Sequence, residues 1–306
     1  MKSIIIIIDY FGIKWPEWFP IYLESCRKNP TITWLFHTNC DHSSFNIENV
    51  IFSSMTKEEY IKNVNQKLGI NFPPDDNYKI CDLRPAYGEL YEEEIRGYDF
   101  FGYGDIDLLY GDIRKFYNDE VLKNNVISTL TWCFSGHLTL IRNTQWLRRM
   151  FRRITNWRSL LEKDGNQTFD ENIFIKAFRR YPPFLSGKLK SIRFIYDIIY
   201  PATIRHRRGL YLKEQFTTPL THELWLDGTF NHPEVWFWKD GHVTNNKDEN
   251  REFIYIHFMN YKHPRSMDAK YGNTAFWDKL PKLVHLKTED ITKGVRIDRY
   301  GFHKMD

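Results

Sequence analysis

The sequence of 306 residues has no CxxC pair, no long apolar run, no internal repeat and no strong excess of either charge. Each absence closes off a class of function. The four cysteines, Cys26, Cys40, Cys81 and Cys133, are widely spaced, which argues against a structural zinc site and a disulfide scaffold and fits a reducing cytosol. The start MKSIIIIIDY holds five consecutive isoleucines before Asp9, too few for a signal-peptide core or a membrane span. A formal net charge of +4 is too small to imply nucleic acid by itself. With no repeat and no long low-complexity tract, stacked-repeat architectures are also excluded.

What is present in excess is aromatic surface: 10 Trp, 18 Tyr and 23 Phe, or 17% of the chain. Such rings either build a large core or offer flat faces on which the C–H faces of sugars stack. Hydrophobic residues at 42% and charged residues at 27% are ordinary for a soluble chain. The length suits one large α/β domain with an elaborated C-terminal part.

Periodicity supplies the α/β reading. Ile4 to Ile8 are β-branched without alternation, as in a central parallel strand covered on both faces. A helix is expected over 15–28, with Pro16 in its first turn, then strands at 31–37 and 50–53 and a helix over 57–68. Further helical spacing covers 83–95, and the strand at 98–103 runs straight into Asp105. A strand is expected at 134–142, helices over 144–161 and 171–179, and a strand at 253–258. The polar stretch 239–252 reads as a hairpin tip or a lid. In open α/β sheets ligands collect beyond the carboxyl ends of the strands, where Asp9 and Asp105 both fall.

The stretch GYGDIDLLYGDIRKF, residues 102–116, carries the sharpest chemical signal. Asp105 and Asp107 cannot both sit unpaired in an apolar core, because a buried carboxylate costs several kcal/mol or takes up a proton. A divalent cation resolves the conflict: Mg²⁺ or Mn²⁺ takes one or two carboxylates and leaves positions for water and phosphate oxygens. Asp112, after Gly111, reads as a helix cap.

Together with KICDLRPAYG (79–88) and IHFMNYKHP (256–264), this motif resembles nucleotide-sugar-dependent glycosyltransferases of the GT-A fold. The likeness is to the glycogenin-like and lipopolysaccharide galactosyltransferase type, and WPEWFP adds a similarity to bacterial capsule and O-antigen biosynthesis proteins. His263, inserted between Lys262 and Pro264, departs from the usual C-terminal signature, and 187–250 match no known pattern. The resemblance implies a Rossmann-like, mainly parallel sheet flanked by helices. It implies a domain over 1–265, with a nucleotide-binding half to about 120 and an acceptor half beyond it, and an extension over 266–306. Asp107 would chelate Mn²⁺ or Mg²⁺, Asp105 would bind the ion or the donor ribose, and His257 would be a third ligand. Lys262 would neutralise the diphosphate.

Asp9 and Tyr10 would meet the nucleotide, Tyr10 stacking on its base or simply packing at the strand end. Lys79, Asp82 and Arg84 would bind base or phosphate, or else form a surface ion-pair cluster. Ser135, Gly136 and His137 border the donor sugar and acceptor in the resembled families. His137 is either a hydroxyl partner or structural, and one of Asp170 and Glu171 would contact a sugar or serve as a helix cap. Retaining and inverting outcomes both stay open. The helix over 144–161 would present Arg148, Arg149, Arg152, Arg153 and Arg158 on one face, with Lys188, Lys190, Arg193, Arg205, Arg207 and Arg208 beyond it. Such faces either hold an enzyme against anionic lipid, where a polyprenyl-diphosphate-linked acceptor would reside, or are merely solvated.

The expectation is therefore a cytosolic, metal-dependent hexosyltransferase moving a sugar from a UDP-linked or other nucleoside diphosphate donor to a bacterial surface glycan. A metal-dependent nucleotidyltransferase or phosphohydrolase and a non-catalytic carbohydrate-binding protein are the alternatives.

Overall fold

The computed structural model describes residues 1–73, 77–178, 209–262 and 276–305. Within them the first eight strands are β1 (Ile4–Tyr10), β2 (Ile32–Thr38), β3 (Val50–Ser54), β4 (Phe100–Gly104), β5 (Leu108–Tyr110), β6 (Val126–Ser128), β7 (Leu138–Arg142) and β8 (Leu210–Leu212). All but β5 form one sheet in the order β3-β2-β1-β4-β7-β6-β8. β1 to β4 are parallel to one another, β7 runs against both β4 and β6, and β8 is parallel to β6. This is the expected α/β architecture, a mixed and mainly parallel sheet flanked by helices.

The unbroken isoleucine run follows from burial on both faces. Ile4, Ile6 and Ile8 pack into one cluster with Phe19, Tyr22 and Cys26 of α1 (Phe19–Arg27). Ile5 and Ile7 enter another with Tyr60, Val64 and Leu68 of α2 (Lys57–Leu68). Local signals close α2 at both ends. Thr56 accepts from Glu59 N at 3.1 Å while the Glu59 carboxylate accepts from Thr56 N at 2.8 Å, and Gly69 ends the helix at φ 66°. α1 begins later than expected, at Phe19 with Pro20 in its first turn, because Trp15 is drawn out of the helix into a stack between Tyr10 and Phe19.

Three other helical expectations dissolve into shorter turns. Residues 77–86 wind as a 3₁₀ segment with Pro85 inside, and only Tyr87–Leu90 is α-helical. Pro85 has no N–H to donate, and the buried Lys79, Asp82 and Arg84 are held by partners elsewhere in the chain. Residues 144–161 break into Gln145–Arg148, Met150–Arg153 and Trp157–Glu162, with poor helix formers at Ile154, Thr155 and Asn156. The third expectation becomes two turns, Phe169–Ile173 and Phe174–Phe178; Arg179 lies outside the described residues.

A second sheet gathers β9 (Trp236–Lys239) and β10 (His242–Asn245) with β12 (Val284–His285), β13 (Val295–Asp298) and β14 (Gly301–Lys304), in the order β10-β9-β13-β14-β12. The stretch 239–252 thus opens with a tight hairpin at Asp240 and Gly241, both at positive φ. β11 (Tyr255–His257) leaves this layer to pair antiparallel with β5. That pairing brings the two sequence motifs of the candidate site together. Lys188, Lys190, Arg193, Arg205, Arg207, Arg208, His263 and Pro264 lie outside the described residues. Among the described residues no helix is long and apolar enough to cross a membrane.

Candidate active site

β4 ends at Gly104, where a side chain has no room: a Cβ would lie 2.9 Å from the Tyr110 hydroxyl and 3.0 Å from the His137 carbonyl. The chain then turns through Asp105, Ile106 and Asp107 into β5. Trp18 Nε1 fixes the turn by donating to Ile106 O at 2.9 Å, and Phe258 N donates to Asp107 O at 3.0 Å. Pairing of β5 with β11 sets His257 opposite Leu108. Asp105, Asp107 and His257 consequently offer one ligand atom each within 4.8 Å of one another.

A cation about 2.1 Å from each donor would place the donors about 3 to 4.2 Å apart. Donors 4.8 Å apart would have to approach one another by about 0.6 to 1.8 Å to meet that geometry, and two carboxylates with one imidazole are a donor set that suits Mn²⁺ or Mg²⁺. The residues fit such an ion. In this structure, protein cations hold both acids. Lys262 Nζ lies 2.6 Å from Asp107 Oδ2, and His257 Nε2 lies 3.5 Å from Asp107 Oδ1. Burial alone would raise the Asp107 pKa, but Lys262 and then His257 overcome it and hold the carboxyl well below its usual range. Asp105 is bound by Arg84 Nη2.

Arg84 extends the site away from the acidic turn. Its Nη1 donates to Asp170 Oδ2 at 3.1 Å and to Gly136 O at 3.2 Å. Gly136 is close-packed against the same groups: a Cβ there would stand 2.8 Å from Arg84 Nη1 and 3.1 Å from Glu171 Oε1. Asp170 is buried, and that burial pushes its carboxyl up to about 7 against the pull of Arg84, with Glu171 adding repulsion. Glu171 is raised by burial and then by Asp105. His137 closes the arrangement with its ring 3.9 Å from that of His257, centroid to centroid. Burial, followed by the neighbouring His257, holds His137 well below the ordinary histidine value, so it is neutral at physiological pH.

The fold thus gathers Arg84, Asp105, Asp107, His137, Asp170, Glu171, His257 and Lys262 into one connected cluster beyond the carboxyl end of β4. Four other anticipated residues have partners within the protein. The Asp9 side chain has no exposed surface, and its oxygens meet His37 Nδ1 at 2.8 Å and the Tyr60 and Tyr91 hydroxyls at 2.7 Å each. It ties β1, β2, α2 and the turn at Tyr91 together. Tyr10 stacks on Trp15 at 5.0 Å and donates to Lys14 O at 3.3 Å. Lys79 and Asp82 form a buried pair at 2.9 Å. Lys79 also donates to Leu160 O at 2.8 Å, while Asp82 accepts from Gln167 N and Phe169 N at 2.8 Å each. The surface-cluster reading of these two is corrected by that burial: the pair is internal and pins 160–169 to 79–82.

The basic face is also partly spent within the protein. Arg148 pairs with Glu92 at 2.9 Å and Arg152 with Glu89 at 2.7 Å, while Arg158 caps Gly69 O. Arg149, Arg153 and Arg158 remain exposed. Two supporting residues were not anticipated in the site, Thr218 and the Trp18 of WPEWFP. Thr218 Oγ1 lies 3.1 Å from His257 Nδ1, and Trp18 lies under Lys262, with Nζ 5.2 Å from its ring centroid.

No curated protein matches the chain. Among solved structures it is similar to the galactosyltransferase LgtC in complex with donor and acceptor sugar analogues, at 13% identity and TM-score 0.34, covering 63% of this chain and 81% of that one. The glycosyltransferase GlyE of Streptococcus pneumoniae TIGR4 is similar at 13% identity and TM-score 0.31, over 70% of this chain and 55% of that one. Mouse xyloside xylosyltransferase 1 is similar at 10% identity and TM-score 0.34, over 74% and 89%. The profile of DUF6625, a family of unknown function, matches residues 6–277, and the chain belongs to that family.

Proposed function

We propose that the protein is a metal-dependent glycosyltransferase that moves a sugar from a nucleoside diphosphate donor, UDP-linked, to a glycan acceptor of the bacterial surface-polysaccharide kind. The observation that carries the reading is the convergence of Asp105, Asp107 and His257 within 4.8 Å, with Lys262 on the same carboxylate. A divalent cation held by those three groups would neutralise charge on a diphosphate leaving group.

The chain's own residues supply the rest. Lys262 is already directed at the acidic turn, so an arriving diphosphate offers it a second anionic partner beside Asp107. Arg84 bridges Asp105 and Asp170 and so links the donor-binding acids to the acids nearest Gly136. Asp170, poised at about 7, is able to take up or return a proton near neutrality. Glu171 is suited to hold a sugar hydroxyl, and neutral His137 can exchange hydrogen bonds without adding charge. A lipid-linked acceptor at the inner membrane face is supported by the exposed Arg149, Arg153 and Arg158.

The test is ligand-dependent thermal stabilisation by UDP with and without Mn²⁺, on the wild type and on Asp107→Asn. Ligand at 100 times its Kd stabilises a fold by about 2.7 kcal/mol, so a clear rise in Tm is expected for the wild type with both ligands and for neither protein without Mn²⁺. Equal stabilisation of the variant, or none in any condition, would overturn the proposal.

A further inference from the structure

We propose that Thr218 is a positioning residue for the cation site: when a divalent ion binds, its hydroxyl oxygen accepts a hydrogen bond from His257 Nδ1–H and so leaves the Nε2 lone pair for that ion. The inference rests on the reading that Asp105, Asp107 and His257 hold such an ion. An imidazole binds a metal through the nitrogen that carries no proton, and the partner of the other nitrogen decides which one that is. Here Nδ1 is 3.1 Å from Thr218 Oγ1 while Nε2 is 3.5 Å from the nearest Asp107 oxygen. The first distance makes a hydrogen bond; the second is too long for a well-formed one. The ring is therefore directed from its Nδ1 side, and its Nε2 edge is presented beside the carboxylate. The His137 ring, 3.9 Å away, limits its freedom on one side.

The segment that carries Thr218 is built to stay in place. Its neighbour Thr217 accepts from His257 N at 2.8 Å, and Asn260 Nδ2 donates to Pro219 O and Leu220 O at 3.0 Å each. Phe216 and Leu220, on either side, sit at φ 54° and 60°. Bulky side chains seldom adopt this left-handed region, and such conformations persist where surrounding contacts over-determine them, often at functional sites. This strap sits behind His257 and holds the same residue by main chain and by side chain.

The experiment compares Mn²⁺ affinity, followed by the EPR signal of the free ion, for wild type, Thr218→Val and Thr218→Ser. Long-range ¹H–¹⁵N spectra of His257 with diamagnetic Zn²⁺ bound report the tautomer in the wild type. Loss of a hydrogen bond to a ligating histidine costs about 10- to 100-fold in metal affinity, so Thr218→Val should bind Mn²⁺ at least about tenfold more weakly, whereas Thr218→Ser should match the wild type. The Zn²⁺-bound wild type should show a proton on Nδ1. Equal Mn²⁺ affinity in wild type and Thr218→Val, or metal coordination through Nδ1, would overturn the role of Thr218 alone. A wild type that binds neither ion would remove the proposed function and this inference together. If Thr218→Val does not fold, the wild-type spectrum and Thr218→Ser still decide the matter.

Discussion

At the scale of single residues, Asp170 makes the clearest prediction, because one buried carboxyl joins the site to stability. An unfolded aspartate ionises near about 3.9, whereas in the fold burial raises Asp170 to about 7. Between these values the unfolded chain releases the proton and the folded chain keeps it. The stability owed to this group is therefore complete below about pH 4, falls as pH rises and is fully lost above about 7. A gap of about three units corresponds to roughly 4 kcal/mol at most. Asp170→Asn should flatten this slope and leave the protein more stable than wild type at pH 8, since Arg84 keeps Asp105 and Gly136 O as partners. Urea denaturation at pH 5 and pH 8 checks it: an unchanged slope in the variant would show that another group titrates there. The same residue explains what could be read in advance. Asp105, Asp107, His257 and Lys262 stand in two short motifs, and their chemistry demands a counter-charge wherever they fold. Asp9 was legible as a strand-end acid but not as a buried one, because its partners Tyr60 and Tyr91 arrive from α2 and from a distant turn. Thr218 had no visible pattern; only the pairing of β5 with β11 places His257 in front of it.

At the scale of elements, the strands that were expected formed, whereas three of the five expected helices broke into shorter turns, and the short strands β5, β6, β8 to β10 and β12 to β14 were not anticipated. Two-sided burial writes a continuous β-branched run such as Ile4–Ile8, and α2 carries its own capping box. Residues 83–95 and 144–161 have helical apolar spacing, yet Pro85 and buried polar groups rewind the first and the poor helix formers at 154–156 break the second. Lys79 and Asp82 are the strongest case. Removing one member of a buried pair leaves the other charge uncompensated and costs about 3–5 kcal/mol. Asp82→Ala should destabilise the fold by that amount and raise protease cleavage around residues 160–169, because two backbone amides and Lys79 lose their acceptor. Lys79→Met combined with Asp82→Leu should recover much of the loss. If Asp82→Ala instead kept full stability and weakened only nucleotide binding, the pair would belong to the ligand site.

At the scale of the whole molecule, the question is whether the last part of the chain is an appendage or a structural member. β13 pairs directly with β9, so residues 295–297 share a sheet with 236–238. From that sheet an aromatic contact path leads back to the acidic turn. Phe302 and Trp277 lie 5.2 and 5.3 Å from Phe258, the residue after His257, and Trp277 lies 6.4 Å from Trp18, whose indole holds Ile106. Trp277 is buried and its Nε1 donates to Asp298 O at 3.0 Å. Two packed sheets joined through such a core should unfold as one cooperative unit rather than in two steps. Truncating a buried aromatic costs about 3–5 kcal/mol, so Trp277→Ala should lower the single Tm and also weaken Mn²⁺ binding by loosening Phe258 beside His257. Differential scanning calorimetry with Mn²⁺ titration tests both parts. Two resolved transitions in the wild type, or a Trp277→Ala variant with reduced stability and unchanged cation affinity, would mean that the second sheet supports the fold without reaching the site.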